Sequence, residues 1–188
     1  MELLAGCGNS RVKKINLSIL PEGWTNLITL DYDETCKPDV VHDLNSCPYP
    51  FDDDMFDEVH CYEVLEHLGK QGDYRAYFEH FSEIWRILKP GGVLVATVPM
   101  WDSLWAWGDP SHTRIINQGS LVFLNQEEYK KQIGKNAMTD FRHCYRADFD
   151  IILLGGSDDT GKVVELDRAT GDTFAFALQA VKPSRYEP

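Results

Sequence analysis

No apolar run in this sequence approaches the roughly 18 residues that a membrane-spanning helix needs. After Met1-Glu2-Leu3-Leu4-Ala5-Gly6 there is no basic segment followed by a long apolar one, so no secretory signal is read. Basic charge is scarce: 18 Lys and Arg stand against 30 Asp and Glu, a formal net charge of −12. A protein that grips a phosphate backbone concentrates Lys and Arg on one surface. The densest basic runs here, Arg11-Val12-Lys13-Lys14 and Lys130-Lys131, are short, which disfavours a nucleic-acid partner. Cysteine is sparse and odd in number: Cys7, Cys36, Cys47, Cys61 and Cys144 contain no Cys-x-x-Cys and form no Cys/His group at zinc-ligand spacing. A reduced cytoplasmic compartment is the simplest reading, and no metal site is expected. Repeats and low-complexity segments are lacking too, and 188 residues suit one domain.

What is present alternates short apolar runs with turns. Strands are expected at Glu2 to Ala5, Leu27 to Leu30, Val40 to His42, Phe56 to Cys61 and Gly92 to Val98. The spacing of Tyr77, Phe81, Ile84 and Leu88 predicts a helix over Asp73 to Leu88, stopped by Lys89-Pro90-Gly91-Gly92. Such alternation argues for a parallel α/β sheet covered on both faces. Residues 100–147 change texture, being rich in Trp, His, Asn and Gln, with one helix expected near Gln126 to Ile133. Asp148 to Leu154, Val163 to Leu166 and Thr173 to Val181 read as further strands, the last two joined through Thr170-Gly171-Asp172, and the tail Lys182 to Pro188 as loose.

Gly6-Cys7-Gly8 follows the first strand, where glycine lets the backbone turn and a ligand approach. The dinucleotide fingerprint Gly-x-Gly-x-x-Gly would need glycine at position 11, where Arg11 stands, which argues against a nicotinamide enzyme. Asp31, 25 residues after Gly6, ends the second strand, where a carboxylate can accept from both hydroxyls of a ribose. Asp43 ends the third and can accept from an adenine amino group, with Leu44 against the ring. The alternative for both aspartates is a turn or helix cap.

An ordered set of segments resembles the class I S-adenosylmethionine-dependent methyltransferases, type 11 in particular. The set comprises Leu4-Ala5-Gly6-Cys7-Gly8-Asn9, Leu30-Asp31-Tyr32-Asp33, Pro38 to Asn45, Phe56-Asp57-Glu58-Val59, Glu63-Val64-Leu65-Glu66-His67-Leu68 and Trp85 to Gly92, and it covers about residues 2–100. The resemblance implies a Rossmann-like, doubly wound α/β fold. Its sheet would be mostly parallel and seven-stranded, with an antiparallel strand near the C-terminus. Residues 1–99 would be the cofactor-binding half, 100–147 a substrate-facing insertion and 148–182 the C-terminal strands of the one domain 1–188. The implied cofactor is S-adenosyl-L-methionine. Ala5, Gly6, Cys7 and Gly8 would surround its methionine part, Asp31 and Tyr32 the ribose and adenine edge, Asp43 and Leu44 the adenine, and Tyr62 and Glu63 its centre. Glu66 and His67 are read as shaping the following turn. Leu4 departs from the pattern, since many members carry a carboxylate there.

Residues 99–114 leave the fifth strand at the edge where ligands of open α/β sheets bind. Trp101, Trp105 and Trp107 suggest either a lid over an acceptor pocket or a loop packing its own small core. Asp109, His112 and Arg114 are the polar candidates, with His112 and Asp109 assigned to catalysis and His112 as proton acceptor; the alternative for His112 is a hydrogen bond to the loop backbone that keeps the loop in shape. The expected activity is methyl transfer to a small molecule, a sugar or a peptide end. The alternative is a non-catalytic relative serving as a partner subunit, and either could form homo- or hetero-oligomers. Replacing Gly6 by valine is expected to abolish cofactor binding while leaving much of the fold.

Overall fold

The computed structural model describes residues 1–157, 163–164 and 171–188. Its strands are β1 (Glu2–Ala5), β2 (Leu27–Asp31), β3 (Val40–Val41), β4 (Phe56–Tyr62), β5 (Leu88–Pro99), β6 (Phe149–Ser157), β7 (Val163–Val164) and β8 (Thr173–Ala180). They form one sheet in the order β3-β2-β1-β4-β5-β8-β6-β7. Pairs from β3 through β5 are parallel, whereas β8 runs antiparallel to both β5 and β6. This is the expected Rossmann-like α/β sheet of seven strands with one reversed strand near the C-terminus. The two-residue β7 adds an eighth at the edge. The strand Val163 to Leu166 is met at Val163–Val164, and the rest of it, like Thr170 of the expected turn, lies outside the described residues. No helix among the described residues is long and apolar enough to cross a membrane.

The helix α1 (Tyr74–Ile87) starts where Asp73 accepts a hydrogen bond from the Ala76 amide (3.1 Å). Tyr77, Phe78, Phe81, Ile84 and Ile87 recur at three- and four-residue steps and are buried. They share one core with Leu94, Ala96, Val98, Phe174, Phe176 and Leu178 of the sheet. Leu88, expected to end the helix, instead opens β5 by pairing with Phe56. The chain then bulges before Val93 takes its place opposite Glu58.

The other face departs from expectation. Residues 9–26 cover it without forming a helix. Ile15, Leu17, Leu20 and Trp24 pack over Leu4, Tyr62, Val93, Val95, Ala175 and Ala177. The segment lacks a helical apolar period and is broken by Pro21 and Gly23. A buried polar chain holds it. Lys13 Nζ lies 2.7 Å from Glu58 Oε2 and donates to the carbonyls of Pro21 (3.0 Å) and Gly23 (3.1 Å). Burial lowers the pKa of His60 and keeps it neutral. A carboxylate only accepts, so His60 Nε2–H donates to Glu58 (2.8 Å), and Nδ1 accepts from the Tyr62 hydroxyl (2.7 Å). The tail also departs from expectation: Arg185 forks onto Asp148 (2.7 and 2.9 Å) and Asp150 (2.7 Å), so it is held rather than loose.

Lys13→Ala should leave Glu58 charged and short of a partner in the interior. Urea unfolding should show a loss of about 3–5 kcal/mol, the scale for breaking a buried ion pair from one side. A loss below about 1 kcal/mol would mean that the pair does not fasten this face.

Candidate functional site

The direction of strand order reverses between β1 and β4, the position where open α/β sheets leave a crevice at the carboxyl ends of their strands. A cavity of about 430 Å³ opens there, within the roughly 300–1,000 Å³ usual for small-molecule sites. Its wall comprises Gly6 after β1, Leu30 to Tyr32 at the end of β2, His42 to Asn45 after β3, and Glu63, Val64, His67, Leu68 and Ser111.

Gly6 has φ +65°, and a Cβ there would collide with the Val64 side chain. The turn therefore needs glycine to pack β1 against the loop after β4, whether or not a ligand is bound, and the expectation that Gly6→Val would spare the fold fails on this contact. The amides of Gly6 and Cys7 both donate to Leu30 O (2.8 and 3.1 Å). Asp31 fastens the turn from the other side: Oδ2 accepts from the Gly8 amide (2.8 Å) and Oδ1 from the Asp33 amide (3.0 Å). Each oxygen keeps a second lone pair for a ligand. Arg11, at the position that excluded the dinucleotide fingerprint, bridges Gly8 O (2.8 Å) and Cys36 O (2.9 Å).

Of the sequence-assigned residues, Gly6, Asp31, Tyr32, Asp43, Leu44 and Glu63 line the cavity. Tyr32 is 77% exposed and free to lie along a ligand. Asp43 Oδ1 accepts from the Asn45 amide (2.9 Å), so it closes a turn while facing the cavity. Ala5 lies in the core with α1. Cys7 and Tyr62 pack on the opposite face, where the Tyr62 hydroxyl is engaged by His60 and the Ile15 amide. Gly8 is absent from the cavity wall but has open space where a Cβ would project. Glu2 does not replace the carboxylate missing at Leu4, because its own is bound by Thr25 and Asn26.

The insertion is bolted to the cavity. Arg114 is buried, donating from Nε to Leu68 O (3.1 Å) and from Nη2 to Lys70 O (3.0 Å) and Asp73 O (2.9 Å), over the ring of Tyr77. The amides of Thr113 and Arg114 both donate to Glu66 O (2.9 and 3.0 Å). Arg114 is thus a clamp and does not line this cavity. Of the insertion's residues, Ser111 alone lines the cavity. Trp101, Trp105 and Trp107 are 49%, 56% and 61% exposed, so they do not pack a core of their own, and none of them lines the cavity.

The clamp brings together residues that sequence reasoning kept apart. Glu66, His67 and His112 place one potential ligand atom each within 4.8 Å of one another. The rings of His67 and His112 meet edge to face at 4.7 Å. Both Nε2 atoms lie 3.9 Å from Glu66 Oε1, and His112 Nε2 is also 3.9 Å from Asp109 Oδ2. Glu66 is 2% exposed, and as a carboxylate it has no donor for either oxygen. Burial, with the Glu63 carboxyl beside it, pushes its pKa up to about 8. The Glu63-x-x-Glu66-His67 spacing, two acids and an imidazole within five residues, was the available signal.

The family described as "Methyltransferase domain" matches residues 3–96, half of the chain. The chain belongs to this family. A probable S-adenosylmethionine-dependent methyltransferase of Mycolicibacterium smegmatis is 30% identical over 135 residues, 65% of this chain and 48% of that protein. The chain spans about half the length of that curated relative. Among solved structures, a S-adenosylmethionine-dependent methyltransferase from Clostridium acetobutylicum matches with TM-score 0.60 at 10% identity, covering 96% of this chain and 83% of that one. The N-methyltransferase NodS of Bradyrhizobium japonicum in complex with S-adenosyl-L-homocysteine matches with TM-score 0.50 at 13% identity, covering 95% and 76%. At these identities the structures establish the methyltransferase-like fold.

In this methyltransferase domain, Gly6→Ala should destabilise by about 1–3 kcal/mol from the collision with Val64 and about 1–2 kcal/mol from left-handed backbone. Urea denaturation of Gly6→Ala with and without Val64→Ala separates the two, since the second change should recover the collision part. Wild-type stability in Gly6→Ala would contradict the tight packing of this turn.

Proposed function

We propose that this chain catalyses transfer of a methyl group from S-adenosyl-L-methionine to a small-molecule, sugar or peptide-end acceptor. The observation that carries the reading is the cavity at the reversal of strand order, with Asp31 fixed in its wall. Asp31 keeps lone pairs for the two ribose hydroxyls. Tyr32 and Leu44 flank the adenine, and Asp43 Oδ2 accepts from its amino group. Ala5, Gly6, Cys7 and Gly8 offer backbone around the methionine part, and Glu63 stands at the centre of the cofactor. Family membership over residues 3–96 supports the same reading.

The chemistry is a displacement. A lone pair of the acceptor attacks the methyl carbon as the carbon–sulfur bond breaks, and the sulfonium leaves as the neutral thioether S-adenosyl-L-homocysteine. Aligning acceptor, carbon and sulfur supplies much of the acceleration. The acceptor's proton goes to the cluster around His112. Trp105 O, 2.8 Å from His112 Nδ1, can only accept, so Nδ1 carries the hydrogen and Nε2 the free lone pair. Asp109 supports this imidazole from 3.9 Å. With a net charge of −12, nucleic acid remains a disfavoured acceptor. The five free thiols suit a reduced cytoplasmic setting.

Titration with S-adenosyl-L-homocysteine in a calorimeter tests the reading. Asp31→Ala should weaken binding by about 1.5–3 kcal/mol, the scale for hydrogen bonds to a charged group. Undiminished affinity in Asp31→Ala, or no binding by the wild-type chain, would overturn it.

A further inference from the structure

The Glu66 carboxylate sits in a place that a protein does not give an acid without a partner. It is 98% buried by side chain, and neither oxygen meets a donor. Leaving such a group unsatisfied is costly. What it faces is not an apolar wall but the Glu63 carboxyl beside it and two imidazole nitrogens, both at 3.9 Å. Each ring is oriented through its other nitrogen: His67 Nδ1 toward Ser111 O (3.2 Å) and His112 Nδ1 toward Trp105 O (2.8 Å). Carbonyl oxygens accept, so both Nδ1 atoms carry hydrogen and both Nε2 lone pairs converge on Glu66. A backbone carbonyl behind the distal nitrogen is the usual support of a metal-binding histidine. Asp109 stands beside this set: its Oδ1 is taken by the Ser111 amide (2.8 Å) and hydroxyl (2.6 Å), and its Oδ2 lies 3.9 Å from His112 Nε2.

We infer that Glu66, His67 and His112 bind one divalent transition-metal ion at the rim of the cofactor cavity. Tetrahedral bonds of about 2.0–2.2 Å to nitrogen and oxygen place neighbouring ligands about 3.3–3.6 Å apart, so the three ligand atoms, 3.9 Å apart in two pairs and within 4.8 Å overall, draw together on binding. Two imidazoles with a carboxylate suit an ion such as Zn²⁺, and the absence of thiolate from the set leaves it less suited to softer ions. His67 and Ser111 belong at once to this cluster and to the cavity wall. If methyl transfer occurs as proposed above, on which this role rests, the ion holds an acceptor oxygen beside the methyl donor and lowers the pKa of its hydroxyl. Hydroxyl-bearing acceptors able to coordinate a metal are then the favoured class. An ion on His112 Nε2 occupies the lone pair that a base would use, so in the loaded protein His112 is a ligand and the proton leaves to solvent.

The test uses the full chain, stripped with chelator and dialysed against Co²⁺ or Zn²⁺, with metal content and Co²⁺ absorption as readouts. One ion per chain is expected, with visible Co²⁺ bands that Zn²⁺ abolishes. His67→Ala, His112→Ala and Glu66→Gln should each weaken uptake at least tenfold, the glutamine keeping the shape of the side chain it replaces. Cys144→Ser, which removes an exposed thiol, should change nothing. Absence of stoichiometric uptake by the folded chain, or full uptake by the double variant His67→Ala/His112→Ala, would overturn the inference. Titration of the same samples with S-adenosyl-L-homocysteine reads the cofactor proposal separately. Metal uptake without nucleoside binding supports this site and removes methyl transfer.

Discussion

Arg114 brings a guanidinium into the interior and satisfies it with three backbone carbonyls, those of Leu68, Lys70 and Asp73. Those carbonyls belong to the turn between β4 and α1, including the approach to the Asp73 cap that starts the helix. One side chain thereby fixes the insertion to the carboxyl end of the sheet. The paired amides of Thr113 and Arg114 on Glu66 O set the register. With that register fixed, His112 arrives opposite Glu66 and His67, and Ser111 reaches the cavity. Hydrogen bonds from a charged donor are stronger than neutral ones, and at a buried site a charge cannot be left half satisfied. This clamp, together with the apolar contacts of Ile116, Leu121 and Leu124, sets where the insertion meets the cavity.

The opposite wall of the cavity is built by a second economy of parts. Asp31 both ties Gly8 to the end of β2 and presents oxygen to the cavity. Gly6 permits the contact with Val64 that joins β1 to the loop after β4. The opposite sheet face is closed by the irregular segment 9–26, and Tyr62 and Cys7 serve that closure. The line Lys13–Glu58–His60–Tyr62 gives this segment the anchorage that a helix would obtain from its own hydrogen bonds.

Much of the frame was legible because parallel strands buried on both sides read as continuous apolar runs, and because Tyr77, Phe81 and Ile84 keep a helical period. The glycine turn and the acids at the ends of β2 and β3 were legible by position, and Asp31 and Asp43 close turns, as one reading had it, while also lining the cavity. The direction of a strand-end side chain was not legible: a one-residue change of face sends Tyr62 to the far side of the sheet while Glu63, at φ +57°, turns into the cavity. The Glu66–His67–His112 cluster was hidden for another reason. His112 is 45 residues from His67 in sequence, and what joins them is a set of side chain-to-carbonyl bonds with no pattern in composition. Of the two readings of the tryptophans, a small core of their own fails because aromatic density suggests burial, whereas here it stands in solvent.

As proposed, one cleft at the reversal of strand order holds a nucleoside-bearing methyl donor on one wall and an acceptor-binding cluster on the other. A crystal structure grown with S-adenosyl-L-homocysteine and Zn²⁺ tests it most directly. The account predicts the ribose hydroxyls on Asp31, the adenine between Tyr32 and Leu44, and the ion on Glu66, His67 and His112 on the side of the cavity where the sulfur lies. A nucleoside bound elsewhere, or one in this cavity with its sulfur turned away from His67, would contradict it.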